Sequence, residues 1–225
     1  MLHFNPSQPV LQVLGTRNPL DDLYRRQAQV PELEQEARWL EHLARALAWT
    51  TMNERTFVER TALAARFSQI GKTLTVANNE PQTPRTHSNN YPDIGARILE
   101  HAGRHDLAHI VRAQCERFDG RGYPNNLSRS QIPLESRIIA VAKAYQGMRA
   151  VRSFRFQPLS QVETINEIKR GAGSEFCPQV VAALSFLIKR NLYSCTTQEE
   201  NSIHREADKT YFDETIVRKL AYAST

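Results

Sequence analysis

Residues 116–124 read ERFDGRGYP: two carboxylates, two arginines, two glycines and a tyrosine in one short stretch. Gly120 and Gly122 permit a sharp turn, and Glu116 and Asp119 are placed to hold it through hydrogen bonds. The Tyr123 ring could stack on a base, a contact worth about 1–3 kcal/mol in single-stranded nucleic-acid sites, or it could pin the loop to a helix beneath it. Upstream, His101, His105 and His109 recur at every fourth residue and would share one face of a continuous helix, which would permit a metal site. Gly103 argues against such a helix, so solvated histidines are the expected outcome. Cys115, Cys177 and Cys195 are odd in number and lack CxxC spacing, which excludes a disulfide framework and a structural zinc site and leaves free thiols.

The chain around these residues is ordinary for a folded protein. Of its 225 residues, 40% are hydrophobic and 24% charged, which excludes wholesale disorder. The start, MLHFNPSQPVLQVLG, has no basic leader and no unbroken apolar run, so it reads as neither signal peptide nor membrane span, and a cytoplasmic location is expected. Residues 104–190 hold 14 Lys plus Arg against 7 Asp plus Glu, a surplus that suits an anionic ligand or partner. Nucleic acid is not the expected partner, because no long basic run, aromatic-basic repeat or recognition-helix motif accompanies the surplus.

The elements that must position these groups are helical throughout. Residues 1–31 carry four prolines and read as an N-terminal arm with a short helix after Asn18-Pro19. Leu33, Ala37, Leu40, Ala44 and Leu47 step by four and three, the spacing of one helix face, and a second helix follows through Phe57 to Ile70. Residues 73–92, rich in Asn, Thr and Pro, read as a long loop. Helical spacing resumes over Ile94–Glu100, over Leu107, Val111, Gln114 and Phe118, and over Leu134, Ile138, Val141, Tyr145 and Met148. SQVE at 160–163 is a capping box, and Pro178 opens a helix carrying Val181, Leu184 and Ile188. TTQEE at 196–200 and the later Ile216, Leu220 and Tyr222 predict a helical extension used for packing or self-association into a homodimer. No stretch alternates as a half-buried strand would. The expected fold is all-α, a helical bundle over 32–190 with an arm over 1–31 and an extension over 191–225.

Several segments in register now carry a resemblance. ERFDGRGYP, IPLESRIIAVAKAY and GAGSEFCPQVV, with LARALA, IGK and YPDIGARIL before them, resemble the HD-GYP domains, a bacterial family of cyclic di-GMP phosphodiesterases, over residues 30–188. The resemblance implies an HD-domain-like bundle in which histidines and aspartates from several helices hold two or three metal ions. Two such ions clamp the attacking and leaving oxygens of a phosphodiester and generate hydroxide. At the implied ligand positions this chain has other residues. The opening histidine falls near Glu32, the His-Asp pair on Ser68 and Gln69, the next histidine on Tyr91, a histidine pair on Gln114 and Cys115, and an aspartate on Lys143. Lys143 reverses the charge: two unit charges about 4 Å apart at an effective dielectric near 20 interact by about 4 kcal/mol.

The same resemblance marks Lys72 as a phosphate contact and Arg152 and Arg155 as the family's basic pair, with Phe154 and Phe156 beside them to stack on guanine. Three functions are therefore expected in descending order. The first is a non-catalytic regulatory domain, without metal or cofactor, that binds a signalling protein such as a diguanylate cyclase domain through Asp119, Gly120, Gly122, Tyr123 and Pro124. The second is a metal-free cyclic di-GMP receptor using Lys72, Lys143, Arg152, Arg155 and Phe154. The third is an active phosphodiesterase with a rebuilt metal site.

Overall fold

The computed structural model describes residues 19–77, 90–150 and 157–193, the side chains of 75–77 excepted. Within them α1 spans Pro19–Ala28, α2 Pro31–Met52, α3 Arg55–Arg66, α4 Lys72–Ala77, α5 Tyr91–His101, α6 His105–Arg112, α7 Leu134–Arg149, α8 Gln161–Arg170 and α9 Pro178–Lys189. Among the described residues there is no strand, only two isolated bridges, Asp119 with Ser128 and Ala172 with Phe176. The fold is all-α, as the spacing of apolar residues predicts.

α2 is the axis of the bundle and packs against α1, α3, α7 and α9. Its predicted stripe is the one buried: Ala37, Leu40, Ala44 and Leu47 are inaccessible and Leu33 nearly so. Each large side chain removed from water in this way contributes about 1.5–3 kcal/mol. Trp39 on the same helix stacks on Tyr145 of α7, centroids 5.9 Å apart, and meets Tyr193 edge-on. Local signals set the ends. Asn53 stops α2 in the left-handed region at φ 48° and returns its N–H to Trp49, and Glu54 caps α3 by accepting from the amides of Thr56 and Phe57 at 2.9 and 2.8 Å. The SQVE box forms as written, with Ser160 N–H donating to Glu163 Oε2 at 2.8 Å and Glu163 N–H donating to Ser160 Oγ. Pro178 stands in the first turn of α9.

Two expectations change. The predicted loop over 73–92 contains α4, and Tyr91 opens α5 rather than ending a loop; residues 78–89 lie outside the described residues. The helix expected to run from Leu107 to Phe118 ends at Arg112 and tightens into a 3-10 turn over Ala113–Cys115, so Phe118 sits in the following loop. The short helix expected after Asn18-Pro19 forms as α1 and buries Leu23 in the common core. The expected helices around 196–222 lie outside the described residues.

Candidate functional site

Gly71 positions the site. A Cβ there would stand 2.1 Å from the Tyr91 carbonyl oxygen and 2.8 Å from Gly95 N, so only glycine lets the turn after α3 lie against the first turn of α5. This contact sets Ser68 and Gln69, both buried in that turn, and Lys72, first in α4, beside Tyr91. The 3-10 turn delivers Gln114 and Cys115 from another side, and Lys143 reaches in from the middle of α7.

Six of the seven positions where the resemblance implies metal ligands, Ser68, Gln69, Tyr91, Gln114, Cys115 and Lys143, meet in one polar cluster, and Glu32 does not join them. The Lys143 ammonium donates to the Tyr91 phenol oxygen, to Gln114 Oε1 at 2.9 Å and toward Cys115 Sγ at 3.6 Å. Gln114 Nε2 in turn donates to the Ser68 carbonyl. Tyr91 Oη lies 3.2 Å from Cys115 Sγ. With the phenol oxygen already accepting from Lys143, its proton is free to point at the sulfur. Lys72 Nζ donates to Gln69 Oε1 and stands 5.2 Å from the Tyr91 ring centroid, a cation–π arrangement, while Lys143 meets the same ring at its hydroxyl edge. Burial holds the Tyr91 phenol well above its usual range, with the neighbouring Cys115 and then Glu36 adding to the effect. Tyr123 is raised by burial and Cys115 in the same way. Both phenols are neutral hydrogen-bonding groups at physiological pH.

Glu36 is the member that sequence reasoning missed. Gln69 Nε2 donates to its Oε2 at 3.0 Å, and Gln146 Nε2 donates to its carbonyl. The first implied ligand had been placed near Glu32, which is exposed one helical turn earlier on α2. The signal was present, because residues i and i+4 share a helix face. Arg152, Arg155, Phe154 and Phe156 lie outside the described residues. His101, His105 and His109 are exposed and are divided between α5 and α6 by a turn with Gly103 at φ +71°.

The GYP segment is a tied loop. Glu116 is buried and its carboxylate accepts from the amides of Asn125 and Leu127 at 2.6 and 3.1 Å. Asp119 accepts from Arg117 Nε and Nη2 at 3.1 and 2.9 Å and from the Arg121 amide at 3.1 Å, and the Arg117 guanidinium holds its carboxyl down to about 2. Gly120 takes φ +82°. Gly122 is buried, and Tyr123 is half-buried with its phenol toward Cys115. Of the five residues expected to face a partner, Asp119 and Gly122 therefore shape the loop from within, and the exposed tip is Arg121, Pro124, Asn125 and Asn126.

The metal ions that the resemblance implies do not fit these donors. Tyr91, Gln114 and Cys115 already serve an ammonium, the phenol is held in its neutral form, and among the described residues no three His, Cys, Asp or Glu side chains gather as a ligand set.

The fold agrees with that of a solved structure, and the sequence with several named proteins. The family model described as HD domain matches residues 20–180, so the chain belongs to the HD domain family. It is 33% identical over 114 residues to a cyclic di-GMP phosphodiesterase of Thermotoga maritima, covering 48% of this chain and 31% of that protein. A probable cyclic di-GMP phosphodiesterase of Vibrio cholerae is 39% identical over 80 residues, 36% of this chain and 18% of the relative. A second Vibrio cholerae protein, named cyclic di-GMP phosphodiesterase, is 27% identical over 157 residues, 64% of this chain and 32% of its own length. The chain thus spans about a third or less of these relatives. The crystal structure of a cyclic GMP-AMP specific phosphodiesterase of Vibrio cholerae has the same fold, with a TM-score of 0.55 at 16% identity over 87% of this chain and 52% of that one. These relatives overturn one expectation. The chain was expected not to be an enzyme, yet the proteins it matches are named as phosphodiesterases, which points to an enzyme. No helix among the described residues is long and apolar enough to cross a membrane.

Proposed function

We propose that this chain acts in cyclic di-GMP signalling by binding the cyclic dinucleotide where α4, α5 and α7 meet, with a phosphodiester drawn to Lys72 and Lys143. The observation that carries this reading is the placement of two ammonium groups around Tyr91, Lys72 5.2 Å from the ring centroid and Lys143 on the phenol oxygen, in the position where the family's reaction centre is implied. The names of the relatives support the choice of ligand. Glu36, reached through Gln69, tempers the positive field without removing it. Guanine stacking on Phe154, and further phosphate contacts from Arg152 and Arg155, belong to the same reading.

Titration of the protein with cyclic di-GMP in the presence of a chelator tests it. Binding should persist without metal, weaken as salt rises, and weaken by about tenfold or more in Lys72→Met, the loss of one charged hydrogen bond. No binding up to millimolar ligand would sink the reading. Turnover of the nucleotide on adding manganese, with no binding in chelator, would replace it by the reaction for which the relatives are named.

A second reading is favoured by the loop. Its tip, Arg121 with Pro124–Asn126, is exposed on a backbone fixed by Glu116 and Asp119, the preorganisation that lowers the entropic cost of recognition. The partner would be a signalling protein such as a diguanylate cyclase domain. Arg121→Glu should weaken such a complex without moving the melting temperature; an unchanged affinity would remove the loop from the interface.

A further inference from the structure

We propose that Lys143 supplies, from within the chain, the cation around which this site is assembled. A metal centre ties separate segments together by gathering their electron-rich atoms around one positive charge. Here the ammonium does this, with three N–H groups for three acceptors. Tyr91 Oη comes from the start of α5, and Gln114 Oε1 and Cys115 Sγ come from the 3-10 turn after α6. Through Gln114 the clamp extends to the Ser68 carbonyl in the turn after α3. Through Cys115, whose carbonyl accepts from the Tyr123 amide at 3.3 Å, it reaches the GYP loop. One side chain of α7 therefore links α5, the turns after α3 and α6, and the loop.

The chemistry of the acceptors supports this role. One amide oxygen, one neutral phenol and one cysteine sulfur are a poor set for a divalent ion but a suitable shell for an ammonium, which needs only hydrogen-bond acceptors. The proposal concerns how the site is held together, and it stands whether or not cyclic di-GMP binds.

Substitution of Lys143 by methionine, of similar length and apolar, separates a clamp from a filler. A half-buried lysine that only fills space should hold or raise the melting temperature when replaced by methionine. A clamp should lower it by at least about 3 °C. In a double-mutant cycle with Tyr91→Phe, the double variant should lose less than the sum of the two single losses, because both break the same bond. The wild-type melting temperature should be the same in chelator and in manganese. Should Lys143→Met fail to fold, Lys143→Arg must be more stable than Lys143→Gln, since only the former keeps the charge. A methionine variant as stable as wild type, additive losses in the cycle, a reversed order of the Arg and Gln variants, or a wild-type melting temperature raised by manganese and lowered by chelator would each overturn the proposal.

Discussion

Gly122 lies against the backbone of Glu116 so closely that a Cβ placed on it would stand 2.5 Å from Glu116 Cα and 2.2 Å from Arg117 N. The contact folds the loop back on its own start, and this places the Glu116 carboxylate under the amides of Asn125 and Leu127. Gly122→Ala must push two backbone segments apart and should destabilise the protein by about 1–3 kcal/mol. Glu116→Ala, which leaves two amides without their charged acceptor, should cost about 1.5–3 kcal/mol. Urea unfolding checks both. If Gly122→Ala is as stable as wild type, the loop does not close as described.

The loop's glycines were legible in the sequence because a turn with this many constraints leaves few residue choices. Helix faces were legible for a related reason: Leu33 to Leu47 obey a 3.6-residue period, and SQVE and Pro178 mark starts by local chemistry. α4 was not, because Lys72–Ala77 is too short to show a period and is followed by a Thr- and Pro-rich stretch. The six site positions could be named in advance through the resemblance. What they do could not, since the Lys143 bonds to Tyr91 and Gln114 join residues far apart in sequence and depend on side-chain geometry. Glu36 and the buried Arg66 were missed because charged residues on a helix read as a solvated face.

Gly71 is the tighter of the two backbone contacts, and its neighbours are the site itself. The nearest atom to an added Cβ is the Tyr91 carbonyl oxygen, at 2.1 Å. Gly71→Ala should therefore displace α5 from the turn after α3, lower the melting temperature by several degrees and weaken any ligand that uses Lys72 together with Tyr91. Loss of stability with unchanged cyclic di-GMP affinity would separate the ligand site from this contact.

Arg66, with 5% of its side chain exposed, pairs with Glu34 of α2 and stacks over the Tyr24 ring at 5.4 Å, while its carbonyl accepts from Gln27 Nε2 at 3.1 Å. The guanidinium joins α1, α2 and α3. Arg66→Ala leaves the largely buried Glu34 carboxylate with Arg38 as its remaining partner, at 2.7 Å, and should cost about 1.5–3 kcal/mol, the loss of one charged hydrogen bond. Replacing both residues by apolar ones of similar size should cost less, because neither charge then has to be held in the interior. Chemical denaturation of the single and double variants decides; equal losses would mean that the charge pair is not the source of the effect.

Asp119 gives the protein a defined acid sensitivity. Its carboxyl ordinarily titrates at 3.8 and is held to about 2 in the fold, first by the hydrogen bonds from Arg117 and then by the Arg121 amide. A folded-state value below the unfolded one means that the carboxylate stabilises the fold. That contribution is complete above pH 3.8 and is lost as the pH falls through about 2. Asp119→Asn keeps the size of the side chain and removes the charge, so it should melt below wild type at pH 6, and the gap should close as the pH is lowered from 4 toward 2. The group is at the surface, so salt should narrow the gap at pH 6 as well. Melting curves of the two proteins at pH 6, 4 and 2.5, each at low and high salt, check this. A gap that stays constant with pH would assign the effect of the substitution to loop geometry rather than to the charge of Asp119.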